Sequence, residues 1–456
     1  MLRKKDKLPS PPINMLEGPF IPQLLRFSVP LMLAGVLQLL YNAADLIVVG
    51  RFSSDPNALA AVGACTSLIH LLVNVFMGLA VGANVVIARS LGAQDNQRAS
   101  SASHTALTIS VMIGVGLSVI TLFFTEQLLL WMGTPAEVLP GACLYLRIFA
   151  CGFPVSLLYN FGAAVLRACG DTRRPMYFLM FSGLINVLLN LLFVCVFGMA
   201  ANGVALATVL SQVVSALLVV FTLLHMHSPC RLFFGRLGVC AKDLLDIMRI
   251  GVPAGIQSAC FGLSNVIIQS SINSFGAIAI AGSTAASNIE GIVYTCFDAV
   301  SQSCLTFGGQ NMGAGKIRRI PRLAGAATVL GTALWAITTV LSLAFAGPLL
   351  SLYTSNAQAI AYGTERMWIV AGFYFICAWM GILSNTLRSM GVSVLPMITC
   401  IIGVCGVRLV WIWTIFESMR TLPVLYISYP VTWGITTLVL GIMLVFVYRK
   451  RTKAPR

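Results

Sequence analysis

The chain has 456 residues, of which 58% are hydrophobic and 9% charged, with a mean hydropathy of +0.90. This composition excludes an ordinary soluble domain. The net charge of +15 is best read through its distribution along a membrane topology, not as a nucleic-acid footprint.

Residues 1–19 are polar and basic, lack the apolar core of a signal peptide and are expected to form a loose cytoplasmic tail. Apolar runs then recur near 22–50, 59–88, 103–124, 143–166, 176–197 and 203–225, each long enough for the roughly 20 residues of a crossing. After a more polar segment at 226–246, six further runs lie near 250–274, 278–305, 323–346, 367–387, 396–416 and 424–448. The expected architecture is all-α and integral to the membrane. It has twelve transmembrane helices in two lobes of six, 20–225 and 247–448, joined by a cytoplasmic linker at 226–246 and followed by a basic tail at 449–456.

Orientation follows from Lys and Arg, which cytoplasmic loops retain. With both termini inside, one face collects Arg26, Arg89, Arg98, Arg167, Arg173 and Arg174 from the first half. From the second half it collects Arg231, Lys242, Arg249, Lys316, Arg318, Arg319 and Arg388, besides the basic tails. The longest outer loops, 125–141 and 347–366, carry Glu126, Glu137 and Glu365, with Arg366 their one basic residue.

The halves repeat each other. Leu166, Arg167, Gly170, Pro175 and Met176 return 221 positions later as Leu387, Arg388, Gly391, Pro396 and Met397, and Gly92-Ala93 returns as Gly313-Ala314. Arg26, Pro30 and Asn42 are echoed by Arg249, Pro253 and Asn265. Internal repeats in membrane proteins usually surround a substrate path.

Enzymatic chemistry finds little support. His225, His227 and Cys230 read as an interfacial helix end more readily than as metal ligands. Gly309 to Lys316 has the wrong spacing for a phosphate loop and Ile317 where Ser or Thr would hold magnesium. The thirteen cysteines are scattered singly and read as small core residues.

A polar residue in an apolar span is expensive and therefore informative. In the first span Gln38, Tyr41, Asn42 and Asp45 form one stripe at i, i+3, i+4 and i+7, beyond Pro30, whose missing N–H offers a conformational hinge; Pro253 is its counterpart. A carboxylate whose burial alternates between two conformations can load and unload a cation. Asn186 and Asn190 lie one turn apart in the fifth span, with Thr208 and Ser211 in the sixth. With Asp45 they would make an oxygen-rich pocket of one negative charge, suited to H+ or Na+; helix-to-helix hydrogen bonding is the bland alternative. In the second half Glu290, Tyr294 and Asp298 recur at i, i+4 and i+8. Glu290 is expected to meet a cationic substrate or a proton, and Asp298 to pair structurally with Arg408.

Pro30, Gln38, Tyr41 and Asp45, then Leu-Gly-Ala at 91–93, then Gly170-Asp171-Thr172 with Pro175-Met176, resemble the multidrug and toxic compound extrusion (MATE) family over nearly the whole chain. The resemblance implies a MATE-like fold of the MOP superfamily, whose two lobes form a V opening alternately to either side. It also implies an antiporter, not an enzyme, without cofactor, exporting small amphipathic and often cationic compounds in exchange for H+ or Na+. Its setting would be the bacterial cell membrane, as a monomer embedded in lipid. Carried over singly, Asp45, Asn186, Asn190 and Thr208 match the family's cation site, with Gln38, Tyr41, Asn42 and Asn160 around it, and Glu290 with Tyr294 the second-half cavity. Asn190 departs from the acid found in many bacterial members, and Phe261 and Cys377 stand where several relatives have acids. A flippase for a lipid-linked precursor would need a more cationic cavity than Arg408 and Arg147 suggest, and a receptor or scaffold without transport leaves the duplication unexplained.

Overall fold

The computed structural model describes residues 13–53 and 55–453. The first half is built from α1 (Phe20–Phe52), α2 (Ala58–Gly92), α3 (Asn96–Trp131), α4 (Leu139–Cys151), α5 (Phe153–Ala168), α6 (Arg173–Leu191) and α7 (Ala201–His225). The second contains α8 (Ala241–Asn273), α9 (Ala277–Gly313), α10 (Ile320–Ala344), α11 (Ala346–Ser351), α12 (Ala357–Val370), α13 (Tyr374–Ser389), α14 (Val394–Cys400), α15 (Val407–Trp411) and α16 (Leu422–Lys453). Among the described residues ten helices, counting α12 with α13 and α14 with α15 as continuous, are long and apolar enough to cross a membrane. The pair α4 and α5, bent by 46°, makes an eleventh. The bend falls at Gly152-Phe153-Pro154, where the proline cannot donate to the preceding turn. The twelfth place in the repeat belongs to α9, whose 37 residues are rich in Gly, Ala, Ser and Thr. It packs against helices of both halves, so it need not present an apolar surface all round.

The halves meet at the end that carries Arg89, Arg167 and Arg388, here called the basic end. There α2 crosses α8 through Gly78 and Gly82 on one helix and Gly251 and Gly255 on the other. A methyl group on Gly78 would lie 2.2 Å from the Gly255 nitrogen, and one on Gly82 2.3 Å from the Ile247 carbonyl. Small residues four apart allow such backbone approach. The repeated Gly-Ala motif has the same cause. A methyl on Gly92 would meet the Gln310 carbonyl at 2.0 Å, and one on Gly313 the Arg89 carbonyl at 1.9 Å. Those same two residues reach across in return: Arg89 donates to the Ser389 carbonyl at 2.8 Å and Gln310 to the Ala168 carbonyl at 2.8 Å. Arg89 and Gln310, like Ala168 and Ser389, are equivalent under the 221-residue offset, so the repeat in sequence is a two-fold interface in space.

Helices α1 and α8 also behave alike. The first half of α1 packs on the second lobe, with Phe27 edge-on to Phe307 at 5.4 Å and Thr295 against Gly35; its far half returns to α6, where Tyr41 donates to the Met180 carbonyl. Pro30 and Pro253 are buried inside these continuous helices, within the stretches that touch the opposite lobe.

The expected loose tail needs correction where it is described. Residues 1–12 lie outside the described residues, but Met15 is only 1% exposed. Its carbonyl accepts from Asn311, and the Leu16 carbonyl from Lys316, so 13–18 forms a strap over the basic end. Lys316, part of the rejected phosphate loop, therefore serves as an anchor. All thirteen cysteines are unpaired; Cys65, Cys230, Cys304, Cys377 and Cys400 are buried as small core residues, whereas Cys151, Cys195 and Cys240 are exposed.

Candidate functional site

Asp45 projects from the far half of α1 toward α6. Asn190 lies opposite it, and the helical spacing of four residues stacks Asn186 one turn away on the same face. The Asn190 side-chain amide donates to Asp45 Oδ1 at 2.5 Å and to Asn186 Oδ1 at 3.2 Å, and Asn186 Nδ2 donates in turn to Thr208 Oγ1 at 3.3 Å. The Thr208 hydroxyl donates in turn to the Val204 carbonyl. The four residues assembled in sequence thus form one hydrogen-bonded chain across three helices. Asn190 is fully buried, and its Oδ1 has no donor. A buried acceptor without a partner costs free energy, and here it stands beside a carboxylate. Directly after Asn190 the helix loosens into a π-helical turn, Leu192–Val196, a distortion frequent at functional sites.

The surrounding residues divide. Tyr41 lies one turn before Asp45, its ring filling the space left by Gly183, where a methyl would lie 1.7 Å from a ring carbon. Gln38 and Asn42 are exposed on the same helix, consistent with a polar stripe that cannot face lipid. Asn160 is turned along its own helix, donating to the Ser156 carbonyl at 2.8 Å. Ser211 likewise donates to the Thr208 carbonyl. Neither touches Asp45.

The second half is arranged differently from the sequence reading. Glu290 is 2% exposed and is held by Arg366, whose Nη2 lies 3.0 Å from Oε2 and whose Nε lies 3.1 Å from Oε1; the same guanidinium donates to Ser283 at 2.7 Å. By sequence, Arg366 is left in an outer loop by the apolar run starting at 367. It is in fact inside α12, which starts at Ala357 behind an Asn356 cap that accepts from the Gln358 and Ala359 amides. Tyr294 does not share the buried side of Glu290: it is 44% exposed. Asp298 accepts from Gln302 at 2.7 Å, not from Arg408. Arg408 donates to Ser264 at 2.9 Å and reaches Asn265 at 3.4 Å, its guanidinium 4.3 Å above the Tyr429 ring. Phe261 and Cys377 join the apolar core of this half. The residues missed by sequence reading, Arg366 and Tyr429, had one usable signal: a carboxylate in mid-span requires a cation within reach, and an Asn cap marks where the helix bearing it begins.

Among the described residues no group of three or more His, Cys, Asp or Glu side chains could hold a metal. His225 ends α7 and His104, on α3, accepts from the Phe233 amide.

The model of the MatE family matches residues 30–192 and 253–414, once in each half. The chain is 27% identical over 434 residues to the probable multidrug resistance protein YoeA of Bacillus subtilis, covering 93% of both chains. It is 24% identical to the probable multidrug resistance protein NorM of Thermotoga maritima over 85% of this chain and 84% of that one. A crystal structure of MATE in complex with MaL6 superposes with a TM-score of 0.91 at 22% identity, covering 98% of this chain and all of that one.

Proposed function

Since the chain belongs to the MatE family of multidrug efflux transporters, multi-pass membrane proteins and not enzymes, we propose that it is a secondary antiporter in which Asp45 takes the coupling ion, H+ or Na+, and an amphipathic compound is exported. The observation that carries this reading is the Asn190 Oδ1 without a donor beside Asp45. A proton on Asp45 would let the amide turn over and accept it, and a sodium ion would be shared by the carboxylate with the amide and hydroxyl oxygens of Asn186, Asn190 and Thr208. Either cation neutralises the single carboxylate in this pocket, and both alter its preference for water or protein.

With both termini cytoplasmic, the closed basic end corresponds to a transporter open to the outside, and Pro30 and Pro253 are the positions about which α1 and α8 would re-aim when it reverses. The bound cation drives export only through a difference in its affinity for the two states. The lobes, taken as 20–225 and 247–448, rock about the glycine crossing, with the linker 226–246 and the tails 1–19 and 449–456 on the inner face. Relatives named as multidrug resistance proteins support an amphipathic drug as cargo and the bacterial cell membrane as the setting.

Proteoliposomes given an imposed pH gradient, and separately a sodium gradient, test the reading with a fluorescent cargo. The native protein is expected to accumulate cargo uphill under one gradient, and Asp45→Asn to insert and fold but lose at least about tenfold of that accumulation. Uphill accumulation by the variant at the native rate would overturn the role of Asp45; accumulation by neither protein under either gradient would overturn antiport itself.

A further inference from the structure

The first helix and the fifth span of each half carry polar residues, at neighbouring but not equivalent positions of the repeat. In the first half these are Asp45 on α1 with Asn186 and Asn190 on α6. In the second half Asn265, the repeat of Asn42, lies on α8, and Arg408, aligned with Val187, lies on α15. The same two helices that hold a lone carboxylate in one lobe therefore hold a lone guanidinium in the other.

Arg408 is 3% exposed, and its neighbours are neutral: the Ser264 hydroxyl, the Asn265 amide oxygen and the Tyr429 ring. Its Nε has no partner. The other two buried guanidiniums of this half sit in different settings, although the Arg388 Nε also lacks a partner. Arg366 has Glu290. Arg388 donates to Gln257 at 2.7 Å and Asn385 at 3.0 Å at the carbonyl end of α13, where the helix dipole favours a cation. Among the described residues no carboxylate lies within ion-pair distance of Arg408. An uncompensated charge in the membrane interior is expensive, and such residues mark substrate or ion pathways.

Two features connect this guanidinium with exposed surface. Ser258, Gly262 and Asn265 are exposed along one face of α8, with Gln269 continuing it; exposed polar groups at membrane depth must face water or protein, so Asn265 stands between water and Arg408. A run of aromatic contacts leads from exposed Tyr294 through Phe297, Tyr374 and Trp433 to Tyr429, with ring centroids 5.1 to 5.6 Å apart. In addition, α15 is flanked by two π-helical segments, Ile401–Gly406 and Ile412–Phe416, the second aligned with the π turn that follows Asn190. A guanidinium offers planar paired donors to an oxyanion, and Tyr294, the exposed end of the otherwise largely buried aromatic run, offers a ring face to a flat ring system.

The geometry points to Arg408 as a binding site for an anionic group, a carboxylate, sulfonate or phosphate, on an aromatic amphipathic cargo. This names a substrate class for the efflux reading above and rests on it only for the transport step; binding stands apart. The lobes then divide the work, the first taking the coupling cation at Asp45 and the second the anionic end of the cargo.

The test uses two xanthene dyes of similar shape and opposite charge, carboxyfluorescein and rhodamine 6G. Fluorescence anisotropy on the purified full chain in detergent gives Kd for each, and proteoliposome flux gives KM. Arg408→Gln is expected to raise Kd and KM for carboxyfluorescein by at least about tenfold while leaving those for rhodamine 6G within about twofold; Arg408→Lys should restore part of the loss because it keeps the charge without the fork. Unchanged carboxyfluorescein binding in Arg408→Gln would overturn the site, as would an equal loss for both dyes, which is the mark of a structural arginine. If Arg408→Gln does not fold, Arg408→Lys and Asn265→Leu carry the same charge-selective readout. Native mass spectrometry separates cargo from lipid: a phospholipid retained by the native protein and lost from Arg408→Gln would assign the guanidinium to a headgroup and overturn the cargo site. Charge-selective binding without uphill flux of either dye would support the site and reject antiport instead.

Discussion

Glu290 and Arg366 are enclosed together, their side chains 2% and 7% exposed, with Tyr426 and Tyr429 facing the guanidinium at 5.4 and 5.9 Å. Removing one partner of a buried ion pair leaves the other charge without compensation and costs about 3–5 kcal/mol, whereas replacing both with uncharged groups is often nearly neutral. Glu290→Gln and Arg366→Met are therefore each expected to lower the thermal unfolding temperature in detergent markedly. The double variant should recover most of the loss, and thermal unfolding of the three proteins checks this; a double variant as unstable as the two losses added would show that the side chains do not act as a pair. The contrast with Asp45 shows what was legible in the residues. Asp45 stood out as one acid on a polar stripe, and Asn186 and Asn190 as amides one turn apart, because a site built from neighbouring turns leaves a periodic trace. Glu290 stood out equally, but its partner lies 76 residues away, and nothing periodic connects them.

At the level of helices, the legible features were those with local causes: the apolar runs, the prolines and the glycine motifs. The expected twelve spans rest on them, and the run at 278–305 counts among these, but α9 is less apolar than the other crossings, and its packing between the two halves explains why. The glycines were visible as permission for close contact, without naming the partner helix. That partner makes them testable. On Gly251 a methyl group would lie 2.7 Å from the Leu79 Cα, and on Gly255 2.2 Å from the Val75 carbonyl. Helix backbones cannot yield as a flexible side chain does, so α2 and α8 must separate, and overpacking of this kind costs about 1–3 kcal/mol. Gly255→Ala is expected to open the basic end, exposing position 306, where the Thr306 hydroxyl now donates to buried Asn84 at 3.0 Å. In a Thr306→Cys background, maleimide labelling read by mass spectrometry should rise severalfold on adding Gly255→Ala. Labelling that stays the same would mean that the crossing does not hold this end shut.

Across the whole molecule, α1 links the two places on which the proposed alternating access depends. Asp45 is near one end, and the strap of residues 13–18 precedes the other, about 40 Å away along a helix rising 1.5 Å per residue. The strap is tied to the second half through Asn311 and Lys316 and, by Arg319, through the Leu16 and Gly18 carbonyls. It also lies against the first half, where Ile13 approaches Gly170. A segment that touches both lobes cannot keep both sets of contacts when they part at this end, so its protection reports the state of the closure. If neutralising Asp45 favours opening of the basic end, Asp45→Asn should speed amide hydrogen exchange severalfold in 13–18 and in the last turns of α9, while α3 and α7 remain as in the native protein. Exchange that changes only around Asp45 and α6 would show that the ion site is not coupled to the closure, because a cation can shift an equilibrium only by the difference in its affinity for the two states. Equal effects throughout the chain would indicate lost stability without a shift between two states. The selective pattern is the one that joins the carboxylate to the gate, because both halves of α1 would have to move for it to occur.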